Sequence, residues 1–125
     1  MVRHRIALLL LLLPFACTNP LPTLEGVDTS AWKDDKLACS GRRQEMETAL
    51  TKEMDKLKGL SEMDVVELLG RPDENELYKR NQKFYFYYIT PGPDCPEGEP
   101  MPRRLSVRFN AMGYAQLVSI TTARK

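Results

Sequence analysis

Between Lys58 and Lys83 the hydrophobic period of this chain changes from that of a helix to that of a strand. That change restricts the fold to the α+β class. Upstream of it, Met46, Ala49, Leu50, Met54 and Leu57 form one apolar stripe, with Glu47, Thr51, Asp55 and Lys58 outside it. This spacing predicts an amphipathic helix that begins near Arg42 and stops at Gly59. A second helix is predicted at once over Glu62 to Leu69. Ser61 stands at its N-cap, and Asp64 is placed to reach back to the Ser61 amide. Leu60 and Val65 fit a hydrophobic staple around that cap, and Glu62 and Asp64 put negative charge where the helix dipole favours it. Gly70 is read as the left-handed residue that ends the helix, and Pro72 prevents its continuing.

Downstream the pattern is that of a meander. Glu76 to Lys79 reads as a short strand and Asn81-Gln82 as a turn. Lys83 to Thr90 (KFYFYYIT) is almost wholly aromatic and β-branched, as strands are. Pro91 to Arg103 contains five of the nine prolines together with Cys95, and is predicted to be a long loop. Leu105, Val107 and Phe109 alternate with Ser106, Arg108 and Asn110, giving a strand with one buried and one wet face. Asn110-Ala111-Met112-Gly113 reads as a hairpin turn before a last strand over Tyr114 to Thr121. The expected architecture is a two-helix hairpin on one face of a three- to four-stranded antiparallel sheet. Ser30 to Cys39, with Trp32 and Leu37, is expected to dock on it as a helical turn.

The N-terminus points to export. Arg3, His4 and Arg5 precede an unbroken apolar run over Ile6 to Leu13, too short for a transmembrane helix. Residues 1–16 read as a signal peptide. Ala16-Cys17 at the end of the run resembles a bacterial lipobox, which implies diacylation of Cys17. An ordinary signal peptide cut nearby, with Cys17 free or paired, is the alternative. Thr18 rather than Asp follows the cysteine, which favours the outer membrane over the inner. Residues 17–29, with Pro20, Pro22 and Gly26, read as the lipidated cysteine and a tether reaching at most about 40 Å. Residues 30–125 then form a single domain. The chain has 18 basic residues, two of them Arg3 and Arg5 in the leader, against 17 acidic ones. The mature form therefore lacks the concentrated basic charge that nucleic acid requires. In an oxidising periplasm Cys39 and Cys95 are expected to pair, a reactive thiol being the alternative.

These residues carry a family resemblance. Gly59-Leu60-Ser61, Val65, and Leu69-Gly70-Arg71-Pro72 resemble the Gly-Met-Thr…Val…Leu-Gly-x-Pro signature of the SmpA/OmlA (BamE) lipoproteins. The order of elements is similar too: lipobox, two helices, an aromatic strand running into Pro91-Gly92, then Leu105 to Asn110 and Gly113 before the last strand. The resemblance covers roughly Leu57 to Ile120. It implies an ααβββ fold and an accessory, non-enzymatic lipoprotein of the outer-membrane β-barrel assembly machinery. Such a protein would sit on the periplasmic face and contact other assembly subunits. The beta-lactamase inhibitor proteins have a similar helix-helix-sheet unit, so a periplasmic protein-binding or inhibitor module is the alternative.

Catalysis is not expected. The only histidine, His4, belongs to the leader, which leaves no hydrolytic triad of the usual kind and no zinc ligand set. No cofactor, metal, nucleic acid or small-molecule substrate is implied. The aromatic strand is the candidate binding surface. With Phe84 and Phe86 assigned to the core, Tyr85 and Tyr87 fall on the open face beside Arg104 or Arg108, residue types enriched at interface hot spots. Arg42 and Arg43 read as a solvated helix start, with anionic headgroups as the alternative contact.

Overall fold

Ser61 caps its helix as the spacing requires: its hydroxyl accepts from the Asp64 amide at 3.1 Å, and the Asp64 carboxylate accepts from the Ser61 amide at 3.4 Å. The chain is described here by a computed structural model over residues 20–124. The expected signal peptide, residues 1–16, and the expected lipidation site Cys17 lie outside the described residues. Four α-helices precede a four-stranded antiparallel sheet. The helices are α1 (Thr29–Asp34), α2 (Arg42–Glu45), α3 (Glu47–Glu53) and α4 (Glu62–Leu69), with 3-10 turns at Lys36–Ala38 and Met54–Leu57. The strands β1 (Glu74–Tyr78), β2 (Gln82–Tyr88), β3 (Arg103–Phe109) and β4 (Ala115–Thr122) pair in sequence order.

The single helix expected from Arg42 is divided. At Met46 (φ −92°, ψ 0°) the chain tightens, and the Met46 amide is shared between the Arg43 and Gln44 carbonyls. Its apolar stripe is nonetheless the one read from the sequence, since Leu50 and Leu57 are buried and Met46, Ala49 and Met54 pack around them. Gly70 ends α4 with φ 83° and ψ −175°. The positive φ is as expected, but the extended ψ is not the left-handed helical conformation; this region is open essentially to glycine alone.

The helices cover one face of the sheet. Trp32, Leu50, Leu57, Val65 and Leu69 meet Tyr87, Ile89, Leu105, Val107 and Phe109 in one cluster. The segment expected to be a tether joins it from Leu24 onward. Leu24 and Val27 are buried, and Gly26 (φ 77°) lies so close to α3 that a Cβ there would meet Ala49 Cβ at 2.9 Å. The domain therefore starts before residue 30, because two apolar side chains in this stretch find the core. The turn between β1 and β2 is made by Arg80 and Asn81, both with positive φ, and the Gln82 amide donates to the Lys79 carbonyl at 3.3 Å. The hairpin after β3 is the one its sequence specifies, with Gly113 donating to Asn110 O at 2.9 Å and Asn110 Oδ1 accepting from Met112 and Tyr114 amides.

The two sheet edges differ. At the start of β4, Ala115 exchanges hydrogen bonds with the Gly59-Leu60 segment, each 2.8 Å long. The outer edge of β1 has no backbone partner among the described residues.

Candidate functional site

Alternation along β2 divides its aromatic side chains between two faces, and the division is opposite to the one expected. Tyr85, Tyr87 and Ile89 face the helices; Phe84, Phe86 and Tyr88 face away. Tyr87 is fully buried, tilted against Trp32 at 6.4 Å between ring centroids, and its hydroxyl donates to Gly70 O at 2.8 Å. Tyr85 packs edge-on to Phe109 at 4.7 Å and donates to Glu62 Oε1 at 3.1 Å. The physical reason is that both hydroxyls reach acceptors at the ends of α4. Burial of a tyrosine body then costs no hydrogen bond. Neither residue belongs to an open face.

Arg104 and Arg108 are on the open face as expected, and register sets them beside the phenylalanines: Phe84 opposite Arg108, Phe86 opposite Ser106, Tyr88 opposite Arg104. Tyr78 meets Phe84 edge-on at 5.4 Å, and Phe84 stacks on Phe86 at 5.6 Å with an interplanar angle of 4°. The Arg104 guanidinium covers Phe86 at 3.6 Å from the ring centroid and pairs with Glu74 at 3.0 Å. This cover leaves Phe86 only 6% exposed although no helix lies above it. Arg108 makes no ion pair or hydrogen bond among the described residues, and its Nε is enclosed without an acceptor. The open face is thus an aromatic ladder with Arg104 ion-paired and Arg108 unpaired among the described residues, and the Nε of each is enclosed without an acceptor. Leu117, 45% exposed, stands opposite Arg108 on β4.

One end of this face is closed. The Cys39–Cys95 disulfide is formed, with Cα atoms 5.3 Å apart, and it draws the proline-rich loop over Tyr88. The Gly92 amide donates to Leu37 O at 3.0 Å, and Tyr88 is buried with Ala38 and Ala123 against Leu37. Tyr88 also donates through its hydroxyl to Glu74. Beside it Glu74, Pro93, Pro100, Arg104 and Arg124 line a shallow cavity of about 410 Å³. Among the described residues no three His, Cys, Asp or Glu side chains converge as metal ligands.

Arg43 is the residue whose role the sequence conceals. Expected in solvent beside Arg42, it is 1% exposed while Arg42 is on the surface. Its Nη1 pairs with Asp73 Oδ2 at 2.6 Å and donates to Tyr88 O at 3.2 Å; its Nε donates to Trp32 O at 2.9 Å. The guanidinium lies 4.8 Å from the Trp32 ring centroid. Asp73 also accepts from the Leu37 and Tyr88 amides, and buried Asp35 accepts from the Ser40 and Arg43 amides. One cation therefore joins the end of α1, the entry to β1 and the end of β2. The Asp73 and Asp35 carboxylates in turn hold the Asp35–Cys39 bend, where Leu37 and Ala38 have positive φ. The acidic residues at 35 and 73 were the only sequence signal, and nothing in their spacing pairs them with position 43.

No protein-family model matches the chain, and no curated protein or solved structure shows significant similarity to it.

Burial raises the hydroxyl pKa of Tyr87 and of Tyr88 well above the ordinary 10.0, and the Glu74 carboxylate adds to the rise at Tyr88. Burial, then Glu62, raises that of Tyr85 as well. The folded protein thus holds these protons more tightly than the unfolded chain does. Stability from this source is complete below pH about 10 and falls as pH rises beyond it. Urea unfolding midpoints should drop above that pH, and Tyr87→Phe should lessen the drop. Midpoints that stay constant into strong alkali would contradict the assignment of Tyr87 to the core.

Proposed function

We propose that this chain is a non-enzymatic lipoprotein of the outer membrane, anchored through acylated Cys17 on the periplasmic face. In this reading it serves as a scaffold of the SmpA/OmlA (BamE) type in the assembly of β-barrel outer-membrane proteins and in envelope integrity. The observation that carries the reading is the Gly59–Pro72 block, where a glycine turn, a capped helix and a Gly-x-Pro exit follow one another at the spacing of that family. Its physical role here fits a scaffold element: Gly59-Leu60 is hydrogen-bonded to β4, and the exit from α4 leads through Asp73 into β1. The α+β order of helices before an antiparallel meander is compatible with the ααβββ arrangement, which is itself part of the proposal. Partner contact is assigned to Phe84, Arg104 and Arg108 on the open face, where aromatic and arginine side chains are the types that concentrate binding energy.

The test is a pull-down of the lipidated protein from detergent-solubilised envelopes. Recovery of barrel-assembly subunits is expected. Repeated failure to recover them, with the protein resident in the outer membrane, would sink the partner assignment. A Cys17→Ala form that still captures a soluble periplasmic enzyme would favour the inhibitor-module alternative.

A further inference from the structure

The chain is packed against the domain almost as soon as its described part begins. Leu24 is buried in the core, and Lys56 Nζ donates to Thr23 O at 3.2 Å. Pro20 and Leu21 line a groove with Leu60, Ser61 and Tyr114. Only Thr18 and Asn19 stand between Cys17 and Pro20. At 3.8 Å between successive Cα atoms, Cys17 lies within about 11 Å of Pro20. Acyl chains on Cys17 would therefore leave the domain little free reach. The end of the domain that carries Pro20 would have to meet the surface in which those chains are buried.

That end is also where large apolar side chains are exposed. Register puts the β1–β2 turn and the β3–β4 hairpin at one end of the sheet, since Lys83 pairs with Phe109. The N-terminus of α4 joins them: the Glu62 amide donates to Gly113 O at 3.1 Å, and Ser61 is bridged to Tyr114. Met63 is 82% and Met112 81% exposed, and Tyr114 is half-exposed. Register assigns Tyr78, beside Gln82, and Leu117, beside Arg108, to the same end. Of the exposed large apolar side chains among the described residues, only Met101, at the start of β3, lies at the opposite end. The carboxylates next to Met63 are engaged. Glu62 is paired with Lys83 at 2.7 Å, and Asp64 is held in the Ser61 cap.

We propose that Met63, Met112 and Tyr114 rest in the headgroup region of the phospholipid bilayer that holds the acylated Cys17. The strands then stand upright on the membrane, and the Phe84–Arg104–Arg108 face looks sideways along it. Apolar and aromatic side chains are the types that settle at that depth. The acyl chains supply the affinity, and the contact fixes the orientation. It depends on the acylation of Cys17 proposed above and on no protein partner.

The test uses the full lipidated chain in phosphatidylcholine vesicles, with and without chains brominated near the headgroup. Trp32 is the one tryptophan of the chain and is fully buried, so a second one placed on the surface reports its own surroundings. Met63→Trp and Met112→Trp should each lose roughly half of the added emission to the brominated lipid, because an indole at headgroup depth touches the upper part of the chains. Met101→Trp should lose none, since the seven residues of β3 hold it about 23 Å from the hairpin. All three positions are exposed, and unchanged urea midpoints check that the fold is intact. The mass of the purified chain shows separately whether Cys17 is acylated. An acylated chain quenched equally at positions 101 and 112, or not quenched at 63 and 112, overturns the orientation and leaves the anchor standing. A chain without acyl groups overturns both.

Discussion

Replacing Arg43 by methionine should destabilise the domain by roughly 3–5 kcal/mol, the usual cost of removing one partner from a buried ion pair. The methionine keeps most of the stem volume, so the loss is electrostatic rather than a cavity. Asp73 would then be left 6% exposed with its charge opposed only by two backbone amides, and the Trp32 and Tyr88 carbonyls would lose a donor. Arg43→Lys should recover little. A lysine presents one point charge, and the site uses Nη1 and Nε in a fork toward different acceptors. Converting both members of the pair to apolar residues should not restore stability either, because Asp73 also holds the Leu37 and Tyr88 amides. Arg42→Met is the control and should stay within about 0.5 kcal/mol, as surface changes do. Urea midpoints for the four variants measure this directly. Equal, small effects at positions 42 and 43 would contradict the buried network.

Removing the disulfide ranks second. Cys39 and Cys95 are separated by 56 positions, and a crosslink closing a loop of that length stabilises by about 4 kcal/mol in the chain-entropy model. The Cys39→Ser, Cys95→Ser double variant should therefore melt roughly 20 °C lower, using the entropy of unfolding usual for a domain near 100 residues. The loss should be local as well as global. Without the crosslink, the loop between β2 and β3 is held by such bonds as Gly92 to Leu37 O and Glu99 to Pro91 O. The cover over Tyr88 should loosen first, so amide exchange in 91–100 should quicken under conditions where α4 stays protected. Unchanged melting in the double variant would show that the loop is held by its backbone bonds alone.

How much of this was legible depended on whether a residue's environment is set by its neighbours in sequence. The cap at Ser61, the stop at Gly70 and the hairpin at Asn110–Gly113 are local, and sequence reading placed them correctly. The stripe from Met46 to Leu57 and the alternation of Leu105, Val107 and Phe109 needed only periodicity. The inward face of β2 was not readable that way, because both of its faces are aromatic and periodicity separates faces without saying which is buried. The acceptors that drew Tyr85 and Tyr87 inward, Glu62 and Gly70, lie 23 and 17 residues away. Arg43 is the same problem in sharper form: its partner Asp73 is 30 residues distant, and an arginine at a helix start ordinarily stays in water. Leu24 and Val27 escape a reading by local signals because the prolines before them suggest a tether. Arg104 and Arg108 were assigned to the right face for a sound reason, the strict alternation of β3, although the aromatic residues beside them are Phe84 and Phe86.

In the function we propose, the Phe84–Arg104–Arg108 face meets a subunit of the barrel-assembly machinery. Site-specific photocrosslinking in intact envelopes tests it most directly, with a photoreactive phenylalanine analogue placed at position 84 and, as a control, at Lys52 on the outer side of α3. A discrete adduct containing an assembly subunit is expected from position 84, and none from position 52. Adducts from position 52 alone, or none with an envelope protein from either position, would contradict it.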